Sequence, residues 1–151
     1  MNEPIKLEWS WPYPRGVEYR LVFEGAELDH NIPQGLLSRM AWQESRFKPA
    51  VIKGEEVSKA GAVGIMQIIP RWHPDVNPFD PIASIKYAAS YLAQLHKMFG
   101  TWEQALAAYN WGPGNMLKYS HKRKNWPAET INYTTEILAD AYEILSLHSR
   151  T

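Results

Sequence analysis

Cysteine is absent from this sequence, which excludes a disulfide framework, a thiolate zinc site and a cysteine nucleophile. Net charge is absent as well. The 16 basic and 16 acidic side chains cancel, so no long-range field draws the protein toward nucleic acid or a membrane surface. Its partner must be recognised by shape and local chemistry. No stretch approaches the ~18 consecutive apolar residues of a membrane-spanning helix. The opening MNEPIKLEWSWPYPRG lacks the basic start and apolar run of a signal peptide, so synthesis in the cytoplasm without a leader is expected. Alternating runs of β-branched residues, internal repeats and low-complexity tracts are all missing, which disfavours a sheet protein or a solenoid. The five histidines, at 30, 73, 96, 121 and 148, lie far apart and no pair has the spacing of a metal-binding helix. Neither a metal nor another cofactor is expected.

What remains is a chain of 151 residues, enough for one domain with a single core. It divides into an aromatic, proline-rich arm over residues 1–16, carrying Trp9, Trp11 and Tyr13 among Pro4, Pro12 and Pro14, and a domain over 17–151. The arm suits an extended segment packed on the domain. Within the domain, a weak helical pattern covers Val17 to His30. A helix from Pro33 to about Ser45 follows, with Asn31 as its cap. The region from Phe47 to Gly64 reads as loop, and a short helical turn covers Ile65 to Ile69. Asp80-Pro81 opens a long helix closed by Gly100, and Thr101 caps the next, which runs into Asn110-Trp111-Gly112-Pro113-Gly114. A last helix spans about Ala128 to Leu147 with Ile131, Thr135, Leu138, Tyr142 and Leu145 on one face. The fold class is mostly α.

One residue breaks the apolar pattern. Leu36, Leu37, Met40 and Ala41 form a stripe at helical spacing, and Glu44 continues it. Apolar surroundings disfavour an ionised carboxylate, so the Glu44 pKa should rise from about 4.3 toward the range in which a protonated acid survives near neutrality. Glycosidases build that environment for a general acid. A glutamate at a helix end that merely turns outward is the plainer alternative on position alone.

The segments that follow shift that balance. In KAGAVGIMQIIP, Gly61 and Gly64 allow close backbone approach ahead of Met66 and Gln67, whose amide can give and accept hydrogen bonds. In AAYNWGPG, the helix ends on Asn110 and is broken by Gly112-Pro113, which sets an amide at the mouth of a groove. Each piece alone is bland, but their order is not. Glu44-Ser45-Arg46-Phe47, then Gly61 to Pro70, then Ala108 to Gly114, and finally Glu129-Thr130-Ile131-Asn132-Tyr133 resemble the motifs of the soluble lytic transglycosylase family, the goose-type branch of the lysozyme-like fold. Phe79-Asp80-Pro81 and Tyr91-Leu92-Ala93-Gln94-Leu95 fit as well. The resemblance covers roughly residues 20 to 145.

The resemblance implies a single lysozyme-like helical domain with a groove for peptidoglycan glycan strands. The reaction implied is cleavage of the β-1,4 bond between N-acetylmuramic acid and N-acetylglucosamine, leaving a 1,6-anhydro end. Glu44 would serve as acid and then as base. Ser45 would hydrogen-bond near Glu44 or a stem peptide, Met66 would either line a subsite wall or fill the core, and Gln67 and Asn110 would bind acetamido groups or hydroxyls. Tyr133 would sit over Glu44 and keep it protonated and oriented. Tyr109 belongs either to the core or to the substrate contacts, and Trp72 and Trp111 could stack on sugars. A monomer is expected, acting on the wall in the periplasm after release by a holin or delivery in a phage particle. Two rivals stand beside this: a goose-type lysozyme that uses water, for which Glu55, Glu56, Asp75 and Asp80 are the acids to examine, and a catalytically silent wall-binding module. A solvated loop explains Glu55 and Glu56, and a helix cap explains Asp80. A solvated face explains the basic cluster Lys118 to Lys124.

Overall fold

The structure is a computed structural model. It describes residues 10–119 and 122–149, without the side chains of residues 140–149. Trp9, His121, Tyr142, Leu145 and His148 therefore lie outside the described side chains. Seven α-helices stand among the described residues: α1 (Arg20–Asp29), α2 (Leu36–Ser45), α3 (Pro49–Ile52), α4 (Pro81–Phe99), α5 (Trp102–Trp111), α6 (Pro113–Tyr119) and α7 (Ala128–Ser149). Tight 3-10 turns cover Val17–Tyr19 and Arg123–Asn125. The mostly α architecture matches the sequence expectation. Among the described residues the only β pairing is an isolated antiparallel bridge between Val63 and Ile68.

The hub is α5, which packs against α4, α6 and α7, while α1 packs on α4 and α2, and α2 packs on α7. Ala105, Leu106, Ala107 and Ala108 are all fully buried. Small side chains on successive positions let helices approach α5 from several sides, and Leu106 alone contributes about 2 kcal/mol by its burial. The ends of α4 and α5 follow the expected capping chemistry. Asp80 accepts a hydrogen bond from the Ala83 N–H at 3.1 Å, Gly100 closes α4 at φ 91, and Thr101 accepts from the Gln104 N–H at 3.1 Å.

Four local expectations need correction. First, α2 starts at Leu36 with Gly35 as its N-cap at φ 86, because Asn31 sits in the left-handed region at φ 54 and cannot lead into the helix from there. Second, the segment read as loop after Phe47 contains α3, begun by Pro49 in the first turn, where a missing N–H costs nothing. Third, Ile65 to Ile69 forms a turn closed by the Val63–Ile68 bridge, not a helix. Fourth, the inner face of α7 carries Thr130, Tyr133, Thr134 and Ile137, while Thr135 is exposed. The two buried threonines both have bonded hydroxyls: Thr134 Oγ1 donates to the Thr130 carbonyl at 3.0 Å and Thr130 Oγ1 to Asn110 Oδ1 at 2.8 Å.

The described part of the arm packs on the start of the domain. Trp11 lies 5.5 Å from Phe47 and 6.0 Å from Phe23 between ring centroids, and Tyr13 stacks on Trp42 at 5.3 Å. Arg15 Nε donates to the Arg46 carbonyl at 2.8 Å. Gly16, at φ 85, passes so close to Phe47 that an added Cβ would meet its ring at 2.8 Å. The arm thereby buttresses the turn that ends α2.

Candidate active site

Within α2, Leu36, Leu37, Met40 and Ala41 are buried to 1% exposure or less, so the stripe faces the core and carries Glu44 inward with it. Just beyond Glu44 the helix stops. Arg46 and Phe47 both adopt left-handed backbone, at φ 53 and φ 51, an uncommon and strained pair for residues with side chains. The Ser45 hydroxyl holds this turn together by donating to the Ala41 carbonyl at 3.2 Å and accepting from the Phe47 N–H at 3.2 Å.

From the opposite side, α7 brings up Tyr133. Its hydroxyl donates to Glu44 Oε2 at 2.8 Å. Burial pushes the Glu44 carboxyl up to about 8, the Tyr133 hydrogen bond pulls it down, and the charge of Glu129 adds a smaller upward push. The acid therefore holds its proton at neutrality. Burial and the neighbouring Glu44 charge raise the Tyr133 phenol well above its ordinary range, so it stays a donor.

Two cavities lie near this pair, and the first is bordered by both of its residues. One, of about 440 Å³, is lined by Gln43, Glu44, Arg46, Asn110, Glu129, Asn132, Tyr133 and Glu136. The other, of about 680 Å³, is walled by aromatic rings, among them Trp72, Tyr87, Tyr91, Tyr109 and Trp111, with Gln67 and His73. Asn110 borders both, so the two adjoin at this residue, an acidic and an aromatic part of one candidate cleft. Apolar rings with a few polar groups are the usual lining of a site for amphipathic ligands such as sugars. On the aromatic wall, the Tyr87 hydroxyl and His73 Nδ1 are hydrogen-bonded at 2.6 Å, and burial lowers the His73 pKa.

The order of these motifs and this geometry coincide with one known family. The transglycosylase SLT domain matches residues 22–132. The chain belongs to the transglycosylase SLT domain family. It is 33% identical over 109 residues to a membrane-bound lytic murein transglycosylase F of Stutzerimonas stutzeri, covering 65% of this chain and 21% of that protein. It is 32% identical over 109 residues to a membrane-bound lytic murein transglycosylase F 2 of Alkalilimnicola ehrlichii, covering 66% of this chain and 23% of that protein. With an Escherichia coli protein called X polypeptide, identity is 31% over 125 residues, covering 76% of this chain and 73% of the relative. The chain thus spans about a fifth of the two transglycosylases and most of the X polypeptide.

Within the SLT domain the residues singled out by sequence fall into two groups. Glu44, Gln67, Tyr109, Asn110 and Tyr133 all border the cleft. Gln67 is fixed in left-handed backbone at φ 50, its Nε2 donating to the Gly64 carbonyl at 3.0 Å. The Tyr109 hydroxyl donates to the Met66 carbonyl at 2.9 Å, and Asn110 Oδ1 accepts from Thr130 Oγ1 at 2.8 Å. Ser45 and Met66 fall elsewhere. Ser45 is 3% exposed with its hydroxyl engaged by the chain, and Met66 is fully buried in the core; neither borders the cleft. A third correction concerns Tyr133, whose donated bond favours the carboxylate form of Glu44. Burial, not the tyrosine, keeps that acid protonated.

The acids named for the hydrolytic rival, Glu55, Glu56, Asp75 and Asp80, lie away from both cavities, and Asp80 is the helix cap expected. The carboxylates that do share the cavity with Glu44 are Glu129 and Glu136, about one turn before and one turn after Tyr133 on α7. Their i, i+3 and i+7 spacing with Asn132 was available in the sequence as a polar stripe beside the face of Thr130 and Ile137. The aromatic pair Tyr87 and Tyr91 was likewise visible as an i, i+4 step on α4, and His73 was not, since only the fold brings its loop to that wall.

Proposed function

We propose that this SLT domain is a peptidoglycan lytic transglycosylase. It cleaves the β-1,4 bond between N-acetylmuramic acid and N-acetylglucosamine and leaves a 1,6-anhydromuramic end. The observation that carries this is Glu44 itself: a carboxyl raised to about 8 by burial, held by Tyr133 and bordering a cavity that adjoins an aromatic-walled one at Asn110. Protonated Glu44 donates to the glycosidic oxygen as the C1–O bond breaks. The resulting carboxylate then takes the C6 hydroxyl proton as that oxygen bonds to C1, so the acid is restored and no water is consumed. A pKa near 8 suits both halves, because the group must give a proton and then recover one close to neutral pH. The Tyr133 bond, which favours the carboxylate, stabilises the state that exists between the two proton transfers. The muramic N-acetyl oxygen supplies the charge stabilisation that a second carboxylate supplies in other retaining enzymes.

A specific observation supports a second reading. Glu129 and Glu136 face the same cavity as Glu44, and acids so placed could hold a water for direct attack, making the domain a goose-type lysozyme. Mass spectrometry of muropeptides released from purified peptidoglycan separates the two. Products lighter by one water, lost in Glu44→Gln, are the expected result. Hydrated reducing ends would assign the hydrolase, and undiminished release by Glu44→Gln would remove both readings in favour of a silent binding module.

A further inference from the structure

Away from the cleft, one buried carboxyl takes no part in this chemistry. Glu27, on α1, is 3% exposed. Its Oε1 accepts from the Gly35 N–H at 3.1 Å and its Oε2 from the Leu37 N–H at 2.9 Å. Those donors belong to the N-cap and first turn of α2, and Gly35 has no side chain with which to cap the helix itself. We propose that Glu27 is a positioning residue for the acid chemistry, its carboxylate clamping the start of α2 and so fixing the helix that carries Glu44. The proposal rests on the assignment of Glu44 as the acid.

Leu37 and Glu44 are two turns apart on one helix, about 10 Å at 1.5 Å per residue. A helix of this length moves as a rod, so a shift at its start is carried to the acid at its end. The other end is braced by Ser45 and by the arm; at the start the Ser38 hydroxyl holds the Gly35 carbonyl at 3.1 Å, while the Gly35 and Leu37 N–H groups are held by Glu27. A displacement near 1 Å at the acid is enough to cost on the order of 100-fold in rate. An anion at a helix N-terminus also matches the helix dipole.

The clamp requires the carboxylate. Protonation of Glu27 would turn one of its two charged acceptors into a hydroxyl oxygen, a much poorer acceptor, and weaken one of the two bonds. Burial pushes this carboxyl up to about 7, the Gly35 and Leu37 N–H groups pull it down, the charge of Glu24 raises it, and the Ser38 N–H lowers it. Of the other groups facing it, the Tyr13 phenol comes from the arm, hydrogen-bonded to Ser38 with Arg39 beside it. The residues that α4 buries are Ser84, Ile85, Ala88, Ala89, Leu92, Leu95 and Phe99, with no charge among them. Activity should therefore need Glu27 ionised and Glu44 protonated, a narrow window bounded by about 7 on the acid side and about 8 on the alkaline side.

The test combines kinetics with a readout that needs no substrate. kcat and KM on peptidoglycan are measured from about pH 5 to pH 9 for the wild type and Glu27→Gln, and the Gly35 and Leu37 amides and the Glu44 carboxyl carbon are followed by NMR over the same range. The expected result is an acid limb in wild-type kcat that shares its midpoint with both amides and with a first inflection at Glu44. In Glu27→Gln that limb should vanish, with kcat about 10-fold lower at the optimum and KM unchanged. An acid limb that survives in Glu27→Gln overturns the proposal. Should Glu27→Gln fail to fold, or the wild type leave peptidoglycan intact, the wild-type resonances decide alone. An inflection shared by Gly35, Leu37 and Glu44 upholds the clamp, and amides that titrate while Glu44 does not respond overturn it. Intact peptidoglycan by itself removes the functional reading and not the clamp.

Discussion

The hydroxyl of Tyr133 and the carboxylate of Glu44, 89 residues apart in the chain, meet at 2.8 Å across the junction of α7 and α2. This bond opposes the effect of burial on the acid, lowering a pKa that desolvation raises. Removing the hydroxyl in Tyr133→Phe should therefore move the alkaline limb of the kcat profile above about 8. The same change should slow the reaction about 10- to 100-fold, since a hydrogen bond to a charged group is worth ~1.5–3 kcal/mol. A pH–rate profile of the variant checks both, and a limb that moves to lower pH would refute the assignment.

Glu129 pushes in the other direction. Its negative charge contributes to the raised Glu44 pKa, so Glu129→Gln should shift the alkaline limb downward by a fraction of a pH unit. Glu129 is exposed, and the shift should shrink further as salt screens the interaction. Profiles at low and high ionic strength provide the comparison.

Replacing Glu44 by Gln should abolish most turnover, a loss of about 10³-fold or more, and should also change stability in a pH-dependent manner. A carboxyl whose folded pKa lies above its unfolded value of 4.5 contributes stability that is full below about 4.5 and is lost as pH rises through about 8. Glu44→Gln is then expected to unfold later than the wild type at pH values above about 8, by roughly 1–2 kcal/mol once partial exposure is allowed for. At pH values below about 4.5 it should show no such advantage. Thermal unfolding at the two extremes reads the difference.

Trp72 is 64% exposed and borders the aromatic end of the cleft. Trp72→Ala should leave stability within about 0.5 kcal/mol of the wild type while raising KM roughly 3- to 10-fold through lost stacking on the glycan. Unfolding curves and steady-state kinetics on the same preparation separate packing from binding.

Gly64 tests the turn that presents Gln67. It sits at φ 81, and a Cβ added there would lie 2.2 Å from the Pro78 carbonyl oxygen, a backbone atom with no room to move. Gly64→Ala should destabilise the domain by about 2 kcal/mol or more, measurable by denaturant unfolding.

Local patterns in the sequence carried much of this protein. The stripe Leu36, Leu37, Met40, Ala41 and the caps Asp80, Gly100 and Thr101 are short-range features, set by side chains within a turn or two of each other. The ordered motifs ending in Glu129 to Tyr133 were enough to recognise the family, and with it the mostly α fold. Short-range rules also erred where a neighbour from elsewhere competes. Asn31 looked like the cap of α2, but the donors of that first turn are taken by Glu27 from another helix.

Only the tertiary structure decided the environment of each group. Glu44 holds its proton near neutrality because the packing of α2 and α7 buries it, and no window of sequence contains both. Ser45 and Met66 carry the same chemical capacity inside as at a groove, and packing turned both inward. Glu55 and Glu56 lie closer to Glu44 in sequence than Glu129 and Glu136, yet it is the distant pair that shares its cavity. Burial and Coulomb interactions depend on separation in space, and helix packing, not chain order, sets that separation.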